Sequence, residues 1–215
     1  EVSDSVPLMS VDKKLDNKVI TPVVREVDQE RAERAIRELL EAIGEDPSRD
    51  GLLDTPARVA RMWTEVLSGT NNDPDHHLSK TFDIEHDEMV LVRDIPFDSM
   101  CEHHMLPFFG RAHVGYLPRG KVIGLSKLNR VVEWFSRRPQ MQESLTQQIH
   151  DYLSDKMNCP SVAVSIACKH TCCSHRGIKH PSVMTTNKFS GVFMEKDNLI
   201  REEFLHAIEV NGAKF

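Results

Sequence analysis

The sequence has no apolar run long enough to cross a bilayer, and the stretch from Glu1 to Lys18 is polar and charged with no apolar signal-peptide core. No membrane association is expected, and the cytoplasm is the expected location. Positive charge is not in excess either. Lys and Arg number 27 against 33 Asp and Glu, a formal net charge of −6. Phosphate backbones need a basic face, which argues against nucleic acid as the main partner but leaves room for one small anion held by a local cluster of Arg and Lys. An even-numbered disulfide framework is missing: the five cysteines are Cys101, Cys159, Cys168, Cys172 and Cys173. Reduced thiols, some of them binding metal, fit that odd and uneven set better. There is no internal repeat, no low-complexity segment and no G-x-x-x-x-G-K-[ST] loop. Any triphosphate must therefore be held by side chains and helix ends.

What is present is an ordinary globular composition, 40% hydrophobic and 28% charged over 215 residues. That is enough for one well-buried domain with an appended helical segment. Residues 1–27 carry no periodicity and read as a flexible arm. Residues 28–85 read as a helical segment. Ala32, Ala35, Ile36, Leu39, Leu40 and Ile43 form one stripe ended by Gly44, and Thr55-Pro56 opens a second helix with Thr55 as N-cap. The stripe of that second helix is Val59, Met62, Trp63, Val66 and Leu67, and Thr70–Lys80 reads as a loop.

Residues 86–215 read as a mixed domain of strands and helices. Met89–Phe97 and Pro107–Leu117 are expected strands, and Ser126 is expected to cap a helix burying Leu128, Val131, Val132 and Phe135. A second helix follows Pro139, with Met141, Leu145, Ile149, Tyr152 and Leu153 inside. Strands Ser161–His170 and Thr185–Glu195 and a helix near Leu199–Val210 close the order. The fold class is α+β, an antiparallel four-stranded sheet backed by two helices. Open sheet edges need covering, and joining subunits edge to edge is one solution.

Cys101 and His104 form C-x-x-H, which lets both side chains converge on one ion from a tight loop. Alone the pair is a weak signal, equally a buried thiol beside a surface histidine. The strand before the later cysteines changes the balance. Val162, Val164, Ile166, Cys168, His170 and Cys172 alternate onto one face, so continued strand geometry favours Cys172 over Cys173 as a ligand. Two thiolates and an imidazole suit zinc, and three protein donors leave the fourth tetrahedral position for water. Whether His103 or His170 binds the metal as a fourth donor decides between a closed structural site and a catalytic one; in the catalytic case both are free for proton transfer.

Lys127 and Arg130 lie on one flank of the helix opened by Ser126, beside free backbone N–H groups. This is either a phosphate clamp or a solvated basic face with a plain cap. Arg58 and Arg61 have the same two readings, and Arg61 can pair with Glu65 at i,i+4 spacing. Arg176 lies close in sequence to the cysteines, whereas Arg137 and Arg138 read as surface charge. Glu143, following Gln142, either steadies a helix N-terminus or accepts from the N1–H and amino group of guanine. Phe97, Phe108 and Phe109 read as core.

Taken in order, the runs Cys101-Glu102-His103-His104, Pro107-Phe108, Gly115-Tyr116-Leu117-Pro118, Gly124-Leu125-Ser126-Lys127, Ser136-Arg137-Arg138-Pro139-Gln140, Gln142-Glu143, His170-Thr171-Cys172 and Arg176-Gly177 closely resemble the GTP cyclohydrolase I family. Thr55-Pro56 with Arg58 matches its helical part, and the likeness covers roughly residues 28–210. The resemblance implies the tunnelling fold and a homodecamer of two stacked pentamers with sites between subunits. It implies zinc on Cys101, His104 and Cys172, and hydrolysis of GTP at guanine C8. Formate release, ribose rearrangement and closure to 7,8-dihydroneopterin triphosphate would follow, the first step of tetrahydrofolate and pterin biosynthesis.

In that picture His170 shuttles a proton at N7 and His103 sits near the ribose. Glu143 with Gln142 reads the guanine edge. Ser126, also placed among the catalytic groups, joins Lys127 and Arg130, with Arg176, Arg58 and Arg61 from neighbouring chains, on the triphosphate. The sequence departs from the family after Cys172, where Cys173-Ser174-His175 replace apolar residues and offer alternative ligands. Two rival readings are a related tunnelling-fold enzyme acting on another purine or pterin, and a catalytically silent zinc protein. The second requires four protein ligands.

Overall fold

The computed structural model describes residues 27–70, 81–196 and 198–209. The expected arm (but for Val27) and the expected loop Thr70–Lys80 (but for Thr70) lie outside the described residues.

Helix α1, Gln29–Ala42, starts where the Asp28 carboxylate accepts from the Arg31 N–H at 2.9 Å. It stops at Gly44, whose φ of +90° only glycine takes at little cost. Helix α2 is Thr55–Val66. These two helices pack on each other, yet α1 buries none of its residues, and Leu39 and Ile43 stay exposed.

The main sheet has five strands: β2, Val90–Cys101; β3, Pro107–Tyr116; β5, Pro139–Gln140; β6, Val162–His170; and β7, Val183–Phe189. Their order is β5-β2-β3-β6-β7, antiparallel except for the short parallel β5 on β2. Strands β1, Thr81–Asp83, and β4, Lys121–Ile123, pair separately. Helices α3, Leu125–Ser136, and α4, Gln142–Lys156, back one face of the sheet. Between them lie Phe108, Val114 and Tyr116 from β3 and Val162, Val164, Ile166 and Cys168 from β6, all buried. Each large apolar side chain buried there contributes roughly 1.5–3 kcal/mol. On the other face, helix α6, Ile200–Glu209, sets Phe204 against Gly115, where a Cβ would stand 2.8 Å from the ring.

The α+β class is as expected, with specific corrections. The N-cap of α3 is Gly124, not Ser126, because Gly124 takes the extended conformation and its carbonyl accepts from the Lys127 N–H at 2.8 Å. The N-cap of α2 is Asp54, with Thr55 already helical. Strand β2 runs on to Cys101, because Asp98, Ser99 and Met100 pair with Phe109, Phe108 and Pro107. The strand expected at Thr185–Glu195 ends at Phe189 and gives way to a 3-10 turn over Gly191–Met194. Arg138 is not surface charge: its guanidinium lies 4.0 Å over the Trp134 ring and donates to the Gly69 carbonyl at 2.8 Å. Burial without a carboxylate beside it lowers its pKa to about 10. Met141 and Phe109 are exposed rather than core.

Candidate metal centre and catalytic site

Cys101 is the last residue of β2, and the chain turns back at once. The Cys101 N–H donates to the Leu106 carbonyl at 2.9 Å, and the Met105 N–H donates to the Cys101 carbonyl at 2.8 Å. Met105 takes φ +51° to close the turn. The Glu102 N–H donates to the Gln140 carbonyl at 3.1 Å, tying the loop to β5.

At the neighbouring strand end, β6 stops at His170 and helix α5, Thr171–Ser174, turns the chain across the head of β3. The Thr171 hydroxyl donates to the Pro107 carbonyl and the Ser174 hydroxyl to the His170 carbonyl at 3.2 Å. The expected alternation therefore does not reach Cys172. A helical turn carries that residue inward instead.

The two loops bring Cys101, His104 and Cys172 together, with one ligand atom from each all within 4.8 Å of one another. Bond lengths of about 2.3 Å to sulfur and 2.0–2.1 Å to nitrogen set tetrahedral donors about 3.5–3.8 Å apart. A contraction of about 1 Å thus fits the trio to such an ion. Burial pushes the Cys172 thiol up to about 11, and the Cys101 and Cys173 thiols beside it add to the rise. A bound cation reverses that preference by favouring thiolate. Cys173 Sγ lies 4.0 Å from Cys172 Sγ but is not part of the trio.

His170 stands next to this cluster under tight restraint. Its ring stacks on Phe108 at 4.7 Å with planes 11° apart. Its Nε2 lies 2.8 Å from Gln142 Oε1. Burial lowers its pKa, with the Glu143 carboxylate pulling the other way. Glu143 is exposed at the start of α4, close enough to act on both His170 and Cys168. Its neighbour Gln142 is fully buried. The two hydrogens of the Gln142 amide nitrogen are shared among the Ile166 and Met184 carbonyls and Thr186 Oγ1, each at 3.1 Å. His103 is exposed, its ring 6.4 Å from that of His104.

The anion-binding candidates lie elsewhere in the chain. Ser126, Lys127 and Arg130 are on the first turns of α3. That helix runs toward β5, whose Gln140 pairs with Cys101, so the metal cluster is at its far end. At a rise of about 1.5 Å per residue, Ser126 stands about 15 Å from that end. Arg176 follows the His175 cap of α5 and is exposed. Arg58 pairs with Asp54 at 3.1 Å, while the Arg61–Glu65 pair is not formed among the described residues.

Against this geometry, the family model for GTP cyclohydrolase I matches residues 32–209. The chain belongs to the GTP cyclohydrolase I family. Three members named GTP cyclohydrolase 1 illustrate the closeness. The protein of Carboxydothermus hydrogenoformans is 57% identical over 78% of this chain and 88% of its own length. That of Rhodopirellula baltica is 53% identical over 85% and 80%. That of Bacillus subtilis is 49% identical over 86% and 98%. Family membership makes the α+β architecture a tunnelling fold. Sequence reasoning missed the Phe108–His170 stack and the inward turn of Gln142. The second was visible, because Gln142 shares a helical stripe with Leu145, Thr146, Ile149 and Leu153.

Proposed function

We propose that this chain hydrolyses GTP at guanine C8, releases formate and closes the rearranged product to 7,8-dihydroneopterin triphosphate. This is the first step of tetrahydrofolate and pterin biosynthesis. The observation that carries the reading is the convergence of two thiols and an imidazole beside a restrained histidine, in a chain that belongs to this family.

Cys101, His104 and Cys172 would hold zinc, the donor set that suits a borderline-soft metal. Zinc bound there supplies Lewis-acid chemistry, lowering the pKa of water to about 7. His170 exchanges a proton with N7 as C8 is attacked, and its depressed pKa favours the neutral imidazole able to accept one. His103, exposed on the loop beside Glu102, serves the ribose. Glu143 accepts from the N1–H and amino group of guanine, a bidentate pairing that sets the ring's orientation.

Ser126, Lys127 and Arg130 bind the triphosphate, with Arg176, Arg58 and Arg61 from adjacent copies. The separation along α3 supports a site completed by another copy. The exposed Leu39 on α1 and Ile43 at its C-terminal cap support assembly as well. The assembly proposed is a homodecamer, and the location proposed is the cytoplasm. No helix among the described residues is long and apolar enough to cross a membrane.

The test is to incubate zinc-loaded protein with GTP and follow formate and pterin fluorescence together. Both products appearing in step supports the reading. Neither appearing, with zinc still bound, leaves a silent zinc protein as the better account.

A further inference from the structure

The Gln142 side chain touches both His170 and the inside of the fold, and its amide can take only one orientation. Its nitrogen faces the carbonyl oxygens of Ile166 and Met184, each at 3.1 Å. Carbonyl oxygens only accept, so the NH2 group must point at them. The amide oxygen is thereby fixed on the opposite side, where His170 Nε2 and Cys168 Sγ both lie 2.8 Å from it. An amide oxygen only accepts, so both neighbours must donate. Burial pushes the Cys168 thiol up to about 12, which keeps it a protonated donor. The remaining consequence falls on the imidazole. Its Nε2 carries the hydrogen, and the lone pair of the neutral ring sits on Nδ1.

We propose that Gln142 is a positioning residue for the reaction: it holds His170 in the Nε2–H tautomer and, with Phe108, fixes the ring so that Nδ1 is the atom that exchanges the proton. Phe108 fixes the plane, its ring stacked 11° from parallel with His170. Gln142 fixes rotation within that plane. The frame behind Gln142 is itself braced, since Thr186 Oγ1 accepts from the Gln142 amide nitrogen and the Thr146 hydroxyl reaches both Thr186 Oγ1 at 2.6 Å and the Gln142 carbonyl at 2.9 Å. Gln142 thus gives the base no free donor, and the guanine edge falls to Glu143. This inference rests on the GTP-hydrolysing reading above and deepens it.

The experiment compares wild-type holoenzyme with Gln142→Met, scoring kcat and KM for GTP per zinc-loaded protein, together with zinc content. Gln142→Met keeps the volume and removes the acceptor. It is expected to lower kcat by about 10–100-fold with KM nearly unchanged and zinc retained. Should Gln142→Met fail to fold, Gln142→Asn, which withdraws the oxygen while keeping an amide, takes its place under the same criterion. A rise in KM with kcat intact means that Gln142 binds substrate, and overturns the proposal. So does an unchanged kcat per zinc-loaded protein, which leaves a merely structural residue. Failure of wild-type holoenzyme to release formate from GTP would instead overturn the underlying reading.

Discussion

Phe108 and His170 occupy paired positions on β3 and β6, and their rings stack at 4.7 Å. Phe108 is completely buried, so it serves the core and the histidine at once. Phe108→Leu is expected to lower stability by about 1–3 kcal/mol through lost area and imperfect repacking. It should also lower kcat while sparing zinc. Denaturant titration alongside kinetics checks both halves, and an unchanged kcat would show the stack to be packing alone.

The two adjacent thiols are predicted to behave differently. Cys172 converges with Cys101 and His104, whereas Cys173 stands outside the trio. Cys172→Ala is therefore expected to abolish zinc retention through dialysis, and Cys173→Ala to leave about one zinc per chain. Metal analysis after gel filtration reads the difference. The reverse pattern would make Cys173 the ligand.

Separation of the phosphate groups from the metal cluster along α3 predicts complementation. Arg130→Ala and Cys172→Ala should each be nearly inactive alone. Dissociated together and reassembled, they should regain activity, because some sites then draw an intact Arg130 and an intact Cys172 from different copies. No recovery in verified mixed assemblies would place the whole site in one chain.

Two buried histidines are expected to cost stability as pH falls. His113 Nδ1 accepts from the Asp94 N–H at 3.2 Å, which requires the neutral ring, and burial lowers its pKa. His150 is likewise lowered by burial, against the pull of Asp151. A lowered folded pKa means that the unfolded chain binds the proton more tightly. Their contribution is whole above the unfolded value of about 6.5 and is lost as pH falls from there through the folded pKa. Each can steepen the loss by up to about 1.4 kcal/mol per pH unit. His113→Asn keeps an acceptor without the titration, so urea midpoints between pH 7.5 and pH 5.5 should change less than in wild type. An identical slope would remove His113 from the account.

Much of the fold was legible because its signals are periodic. The buried stripe of α3, Leu128, Val131, Val132 and Phe135, follows from 3.6-residue spacing, and the apolar face of β6 from strict alternation. What was not legible depends on single backbone conformations or long-range partners. Gly124 and Ser126 are both acceptable caps, and only the extended φ and ψ of Gly124 decide between them. The two-residue strand β5 exists because Met100 and Cys101 are there to pair with it. The buried place of Arg138 depends on Trp134 and on Gly69, where a Cβ would come within 2.2 Å of the Trp134 carbonyl. At the site, Cys172 reaches the cluster through a helical turn that alternation cannot foresee.

Zinc-edge X-ray absorption on the metal-loaded protein measures the coordination shell itself. Two sulfurs and one imidazole nitrogen from the chain, with the last position held by solvent and exchanged when substrate is added, is the predicted result. A shell closed by a third sulfur or a second imidazole, unchanged by GTP, would contradict the account.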